Sequence, residues 1–255
     1  MNKADLPVAV LDSGIGGVTV LRELVKLMPE ENFIYLADSA NAPYGTKSTE
    51  LVREITLKNV EALFDEGIKA VVIACNTATG AAAKILRETY DLPVVGIEPA
   101  IKMAADLCDR PSVLVMATPL TLKQEKFIDL KNRFENSEDM TLLPCAGLVE
   151  LIEEGHTDDG VLDGFLERLF EPLGDKKFDA AVLGCTHYPL AAAGISKRLP
   201  GVRLFDGSAG VARQTKRRLE SEGLKRPEGL TGTVEIRNSL SDEEINRTVR
   251  KYLYT

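Results

Sequence analysis

"AVVIACNTATG", residues 70–80, decides the fold. Its first six residues, through Cys75, are apolar without alternation, which reads as a strand buried on both faces. Asn76, Thr77 and Thr79 then crowd amide and hydroxyl groups around the thiol. Packing alone needs only a small apolar residue at such a strand end, whereas a reactive thiol needs the polar ring. Outward from here the same grammar repeats. "VAVLD" (8–12), "FIYLAD" (33–38), "PVVGI" (93–97), "SVLVMA" (112–117), "TLLPC" (141–145), "AAVLGC" (180–185) and "VRLF" (202–205) also read as buried strands. Helical stretches separate them, such as 17–28 and 48–67. In the second of these, Leu51, Ile55, Val60 and Leu63 line one face at helical spacing. Near-continuous apolar strands alternating with helices predict an α/β fold with mostly parallel sheet covered on both faces.

In such sheets the loops leaving the C-terminal strand ends carry the ligand site. Here those loops are "DSGIGG" (12–17), "DSANAPYG" (38–45), "CNTATG" (75–80), "ATPLT" (117–121), "CAGLVELIEEG" (145–155) and "CTHYPL" (185–190). They are the most polar and sulfur-bearing stretches of the chain. A coarse repeat runs through them: Asp12 to Cys75 spans 63 positions and Thr118 to Cys185 spans 67. Each half runs from a small polar strand-end residue to a strand ending in Cys followed by Asn-Thr or Thr-His. The expected organisation is two similar α/β domains, 1–98 plus 207–255 and 99–206, facing each other. The tail adds a strand at 233–239 and then a helix opened by a capping box of Ser241 and Glu244. It is too short for a separate domain and is expected to pack on the first half.

Composition narrows the function. With 44% hydrophobic and 27% charged residues, disorder is excluded. No apolar run reaches the roughly 18 residues of a membrane span. "MNKADLPVAVLDSG" enters a strand almost at once, leaving no room for a signal peptide and favouring the cytoplasm. A net charge of −8 and a pI near 5.0 argue against nucleic acid as a partner. The four cysteines (75, 108, 145 and 185) contain no CxxC pair, which disfavours a zinc site or a dithiol redox motif.

"DSGIGG" could cradle phosphate. The dinucleotide fingerprint needs a third glycine in its sixth position, where Thr19 stands, and only Gly14 and Gly16 fit. Asp38 does sit where a ribose-binding acid would. The plain alternative is a tight turn bringing helix close to sheet, and a third reading uses Asp12 and Ser13 as ligands. Among the thiols, Cys108 and Cys145 read as small buried apolar residues. Cys75 and Cys185 each end an apolar strand and begin a polar turn, where helix-start N–H groups favour thiolate. With an ordinary thiol pKa of roughly 8.5, a modest shift would populate both forms near neutrality and suit proton transfer. His187 is either a surface-turn residue or a proton partner of Cys185. His156 reads as a solvated loop residue. Glu150 and Glu153 lie on neighbouring turns of a short helix, and either could orient His187.

Taken together in this order, "DSGIGG", "PYG" (43–45), "CNTAT" (75–79), "GLVELIE" (147–153) and "GCTHYPL" (184–190) closely resemble the glutamate racemase family, over nearly the whole chain. The resemblance implies two α/β domains related by a pseudo-twofold, with the active site in the cleft between them. It implies cofactor-independent racemisation of glutamate, no metal, and a homodimer. Cys75 and Cys185 would be the proton carriers on opposite faces of the α-carbon. Asp12 would assist Cys75, and His187 with Glu153 would assist Cys185. Asp12, Ser13, Pro43, Tyr44, Gly45, Asn76, Thr77, Thr118, Thr121, Thr186 and His187 match substrate-binding positions, and Asp38 matches an acidic position without an assigned role. Ala37 and Ala117 replace glycines common in the family, both small-residue exchanges. Some members carry a longer leader and respond to a peptidoglycan precursor; with eleven residues before Asp12, that regulation is not expected here. Rival readings are an aspartate racemase with the same thiols, a nucleotide- or phosphate-binding module using "DSGIGG", and a redox protein forming a Cys75–Cys185 disulfide.

Overall fold

The computed structural model describes residues 2–134 and 139–255. Two parallel sheets form the frame of two α/β domains. The first contains β1 (Val8–Asp12), β2 (Phe33–Ala37), β3 (Ala70–Ile73), β4 (Val94–Gly96) and β9 (Val234–Asn238), in the order β4-β3-β1-β2-β9. The second contains β5 (Ser112–Ala117), β6 (Asp139–Pro144), β7 (Ala180–Leu183) and β8 (Arg203–Phe205), in the order β6-β5-β7-β8. With β9 left aside, replacing β1, β2, β3 and β4 by β5, β6, β7 and β8 converts one order into the other. The repeat read from strand-end residues is therefore a repeat of topology.

The unbroken apolar strands follow from helices on both faces. Along β1, Val8 and Val10 face α1 (Val18–Leu27), α10 (Ser208–Ser221) and α11 (Glu243–Leu253), while Ala9 and Leu11 face α2 (Thr49–Asp65) and α3 (Asn76–Thr89). In the second sheet Leu114, Met116, Ala181 and Leu183 pack with α7 (Leu148–Glu153), α8 (Gly160–Phe170) and α9 (Ala192–Arg198). Val113, Val115, Ala180 and Val182 pack with α4 (Ile101–Ala105) and α6 (Glu125–Asn132), which follows the short helix α5 (Pro119–Lys123). No helix among the described residues is long and apolar enough to cross a membrane.

The tail joins the first sheet, β9 pairing parallel with β2 from Phe33↔Val234 to Ala37↔Asn238. Its expected capping box is not what forms. Asp242 caps α11, accepting from the Glu244 N–H at 2.8 Å, and Ser241 stands at φ 55°. Asn238 is the cause: its Oδ1 accepts the N–H groups of Leu240 and Asp242 at 3.1 and 3.0 Å, winding the chain one residue further before the helix starts. At the N-terminal ends of the central strands, the buried ammonium of Lys69 pairs with the buried carboxylate of Glu31 and donates to the Ala4 carbonyl at 2.6 Å. The Arg226 N–H donates to the same carboxylate at 2.8 Å, anchoring the tail there.

Candidate active site

The C-terminal ends of the equivalent strands converge. Asp12 is the last residue of β1 and Thr118 follows β5; Cys75 and Cys185 each lie two residues past β3 and β7. The thiols are 5% and 8% exposed, Asp12 0% and His187 1%, so this is a closed site. A cavity of about 440 Å³ lies elsewhere, between β4 and α10, with none of these four in its lining.

Cys75 occupies the N-cap of α3, its Sγ accepting the Ala78 N–H at 3.5 Å. The thiol is nonetheless pushed up to about 12, first by burial and then by the nearby Asp12 charge. The Ala78 N–H and the Ser13 hydroxyl pull against this, and Cys185 adds to it. The expected helix-start depression is thus overridden, because burial removes more solvation from a thiolate than one helix end returns. Cys185 opens no α-helix; a single 3-10 turn, Tyr188–Ala191, follows it. Its polar neighbour is His187, whose Nδ1 lies 3.7 Å from Sγ.

His187 Nε2 is 2.5 Å from Glu153 Oε1, so Glu153 rather than Glu150 orients the ring. Burial pulls the imidazole down, but hydrogen bonds to Cys185 and Glu153, and their charges, outweigh it and hold it well above its ordinary range. For Glu153 burial acts upward, and His187 with the Ile15 N–H holds the carboxyl below its usual value. The Gly16 nitrogen also approaches His187 Nε2, at 3.3 Å. One ring nitrogen cannot donate to Glu153 and accept from Gly16 together. The cation donates Nε2–H to Glu153; a ring neutral at Nε2 accepts from Gly16. On the other side of the site, Asp12 accepts the Thr186 hydroxyl at 3.0 Å and the Gly14 N–H at 3.2 Å. Burial raises its carboxyl against the pull of His187, Gly14 and Thr186.

The glycine turn has a different task from phosphate binding. The Ile15 N–H donates to Glu153 Oε1 at 2.9 Å, so an anion from the other domain occupies the place a phosphate would need. A Cβ on Gly14 would lie 1.8 Å from that oxygen, and one on Gly16 2.3 Å from His187 Nδ1. Glycine is required here for close approach between the halves. Thr19, which breaks the nucleotide fingerprint, donates toward the Gly16 and Thr186 carbonyls at 3.0 and 3.2 Å.

A second seam joins the halves at Thr77, Thr118 and Thr121. Their hydroxyls form a buried ring with separations of 2.9–3.1 Å. Gly45 seats the Thr118 side chain, 2.6 Å from a built Cβ. Tyr44 is buried, half-buried Pro43 precedes it, and its hydroxyl donates to Asp38 at 2.5 Å. The N–H groups of Tyr44 and Gly45 open a 3-10 turn, where the helical pattern supplies no acceptor. Asn76 is buried at the start of α3, and its Oδ1 has no hydrogen-bond partner among the described residues. Asp38, placed in the sequence beside a ribose, instead gathers Tyr44, Asn41 and Asn59 at 2.5–3.1 Å and shapes the 38–45 loop.

Two residues escaped sequence reasoning. Gln124 is buried in a notch at Gly80 and donates to the Thr77 carbonyl at 2.9 Å, tying the second half to the start of α3. Nothing in "TLKQEK" marks it. Tyr35 is fully buried within β2 with its hydroxyl on the Gly14 carbonyl at 2.6 Å; a phenol in a strand buried on both faces is itself the signal. Among the other thiols Cys145 is buried as expected, donating to Leu143 at 3.3 Å, whereas Cys108 is exposed, because α4 ends at Ala105 and leaves it in a surface turn. All four cysteines are free thiols. His156 pairs with Asp159 at 2.7 Å near the surface, as a solvated loop residue does.

Comparison with known proteins agrees with this fold. The glutamate racemase of Clostridium botulinum strain Okra is 44% identical over 250 residues, covering 96% of each chain. The structure of Escherichia coli glutamate racemase in complex with L-glutamate and the activator UDP-MurNAc-Ala aligns over 97% of this chain and 95% of that one, with 34% identity and a TM-score of 0.85. That of Francisella tularensis glutamate racemase in complex with D-glutamate aligns over 99% and 95%, with 28% identity and a TM-score of 0.85. The family model for Asp/Glu/hydantoin racemase matches residues 10–215, and the chain belongs to that family.

Proposed function

We propose that this protein interconverts L- and D-glutamate by a two-base mechanism in which Cys75 and Cys185 serve opposite faces of the α-carbon. The observation that carries this reading is the placement of two buried thiols at equivalent strand ends of facing domains, with unlike support. Burial, and after it the Asp12 charge, keep Cys75 a thiol, the form that donates. His187, cationic and braced by Glu153, offers Nδ1–H to a Cys185 thiolate, the form that abstracts. Cys185 takes the α-proton, its electron pair remains on Cα, and the Cys75 proton is delivered to the other face. The product leaves the thiols in exchanged states, ready for the opposite enantiomer.

No bound cofactor is invoked, so stabilising the carbanion falls to preorganised donors in a dry site. Ser13, Tyr44, Gly45, Asn76, Thr77, Thr118, Thr121, Thr186 and His187 are assigned to the substrate's charged groups. The Thr77–Thr118–Thr121 ring supports this, since a carboxylate would replace bonds the hydroxyls now make to one another. Substrate entry then requires the halves to part at that ring and at Gln124. We divide the domains at 98/99 and 206/207, which keeps each sheet and its helices together. The further assignments are a cytoplasmic homodimer supplying D-glutamate for peptidoglycan.

Circular dichroism of the purified protein with L-glutamate, D-glutamate and L-aspartate tests the reading. Loss of optical activity from both glutamates, abolished in Cys75→Ser and in Cys185→Ser, is expected. Racemisation of aspartate alone would keep the mechanism and overturn the substrate, while inert wild type would overturn both.

A further inference from the structure

The turn Ser13–Gly17 supports both thiols at once. Its Gly14 N–H donates to Asp12 at 3.2 Å, on the Cys75 side. Its Ile15 N–H donates to Glu153 at 2.9 Å, and its Gly16 nitrogen lies 3.3 Å from His187 Nε2, on the Cys185 side. The Gly14 and Ile15 N–H groups can reach targets in two domains, with the Gly16 nitrogen set close against the His187 ring, only if the turn is held still. Its three glycines bring no side chains, so the turn is held by the buried Ile15, by the Thr19 hydroxyl on the Gly16 carbonyl at 3.0 Å and from below. What lies beneath it is Tyr35, 0% exposed, whose hydroxyl donates to the Gly14 carbonyl at 2.6 Å. The ring edge also packs against Gly17, with Cε2 3.0 Å from a built Cβ.

We infer that Tyr35 is a positioning residue that fixes this turn through the Gly14 carbonyl and thereby sets both proton relays together. The catalytic consequence rests on the two-thiol reading above; the structural consequence does not. Because the products are mirror images, kcat/KM must be equal in the two directions for any active variant, so comparing directions by rate is uninformative. Isotope effects with α-deuterated L- and D-glutamate do discriminate, since each reports abstraction by one thiol.

In Tyr35→Phe, which keeps the ring, kcat/KM should fall roughly 10- to 100-fold through misplacement of both relays, with KM within about twofold. The ratio of the two isotope effects should stay at its wild-type value. In Glu153→Gln, which touches one relay, that ratio should move. Amide hydrogen exchange supplies a readout independent of activity: Ile15 and Gly16 should exchange at least about tenfold faster in Tyr35→Phe, with Val10 in β1 unchanged. Unchanged exchange at Ile15 and Gly16 would overturn the positioning role even if the wild type proved inert on glutamate. Accelerated exchange with full activity, or with an isotope ratio displaced as in Glu153→Gln, would overturn the claim that Tyr35 serves both relays.

Discussion

Gly16→Ala is the substitution whose outcome the geometry fixes most tightly. The added Cβ would sit 2.3 Å from His187 Nδ1, 2.6 Å from Cγ and 2.7 Å from Cε1. Ordinary contact begins at 3.4 Å, so ring or turn must retreat by roughly 1 Å. The ring has little room for this, being held to Glu153 at 2.5 Å and facing Cys185 at 3.7 Å. A displacement near 1 Å between reacting groups costs on the order of 100-fold in rate. The threonine ring, at the other seam, is untouched, so kcat should carry most of the loss, with any rise in KM limited to the share of substrate binding assigned to His187. Overpacking should also cost about 1–3 kcal/mol of stability, lowering Tm by several degrees for a chain of this size. Gly160→Ala is the control, since its Cβ would meet nothing within 4 Å. Racemisation followed by circular dichroism, with a melting curve for each variant, decides the matter. Retention of kcat/KM within twofold in Gly16→Ala would refute the claim that this glycine exists to admit His187.

Two further outcomes follow from the charges. Burial lowers His187, but Cys185 and Glu153 together hold it well above its ordinary range, so its proton persists from acid pH up through that raised value. Glu153→Gln removes one support; the alkaline limb of the pH profile should move to lower pH and kcat/KM should fall roughly 100-fold, with nitrogen NMR of the imidazole reporting the same shift. Lys69→Met strands the buried Glu31 carboxylate far from the thiols. It should cost about 3 kcal/mol in urea unfolding while leaving kcat of the folded enzyme within twofold; a kcat loss there would contradict the separation of the two ends of the sheet.

The fold was legible because parallel strands covered on both faces must be apolar throughout, and every run read as a strand from 8–12 to 202–205 overlaps one; the exceptions to full burial are β6 and β8, which lie at the two edges of the second sheet and are largely half-buried or exposed. Cys75 and Cys185 were legible for a related reason: a polar turn after a buried strand marks where such a sheet opens. The work of "DSGIGG" was not, because the groups that require its glycines, Glu153 and His187, lie 138 and 171 positions away along the chain. Local pattern offered phosphate binding; tertiary packing filled that place with a carboxylate. Burial likewise reversed the local expectation for Cys75, since an N-cap position is visible in sequence and its desolvation is not. Ser241 failed as a cap because Asn238, three positions earlier, had already captured the turn.

The central claim, that two different thiols work on opposite faces, is tested most directly by placement of deuterium at early times. L-Glutamate is incubated with the enzyme in heavy water, and both enantiomers are isolated before a tenth of the substrate has turned over. Separate donors predict deuterium at Cα in essentially all newly formed D-glutamate and none in the remaining L-glutamate, because the thiol that abstracts from L-glutamate returns only the proton it removed. Deuterium accumulating in the L pool as fast as D-glutamate forms would mean that one exchangeable base serves both faces, and the two-thiol account would be wrong.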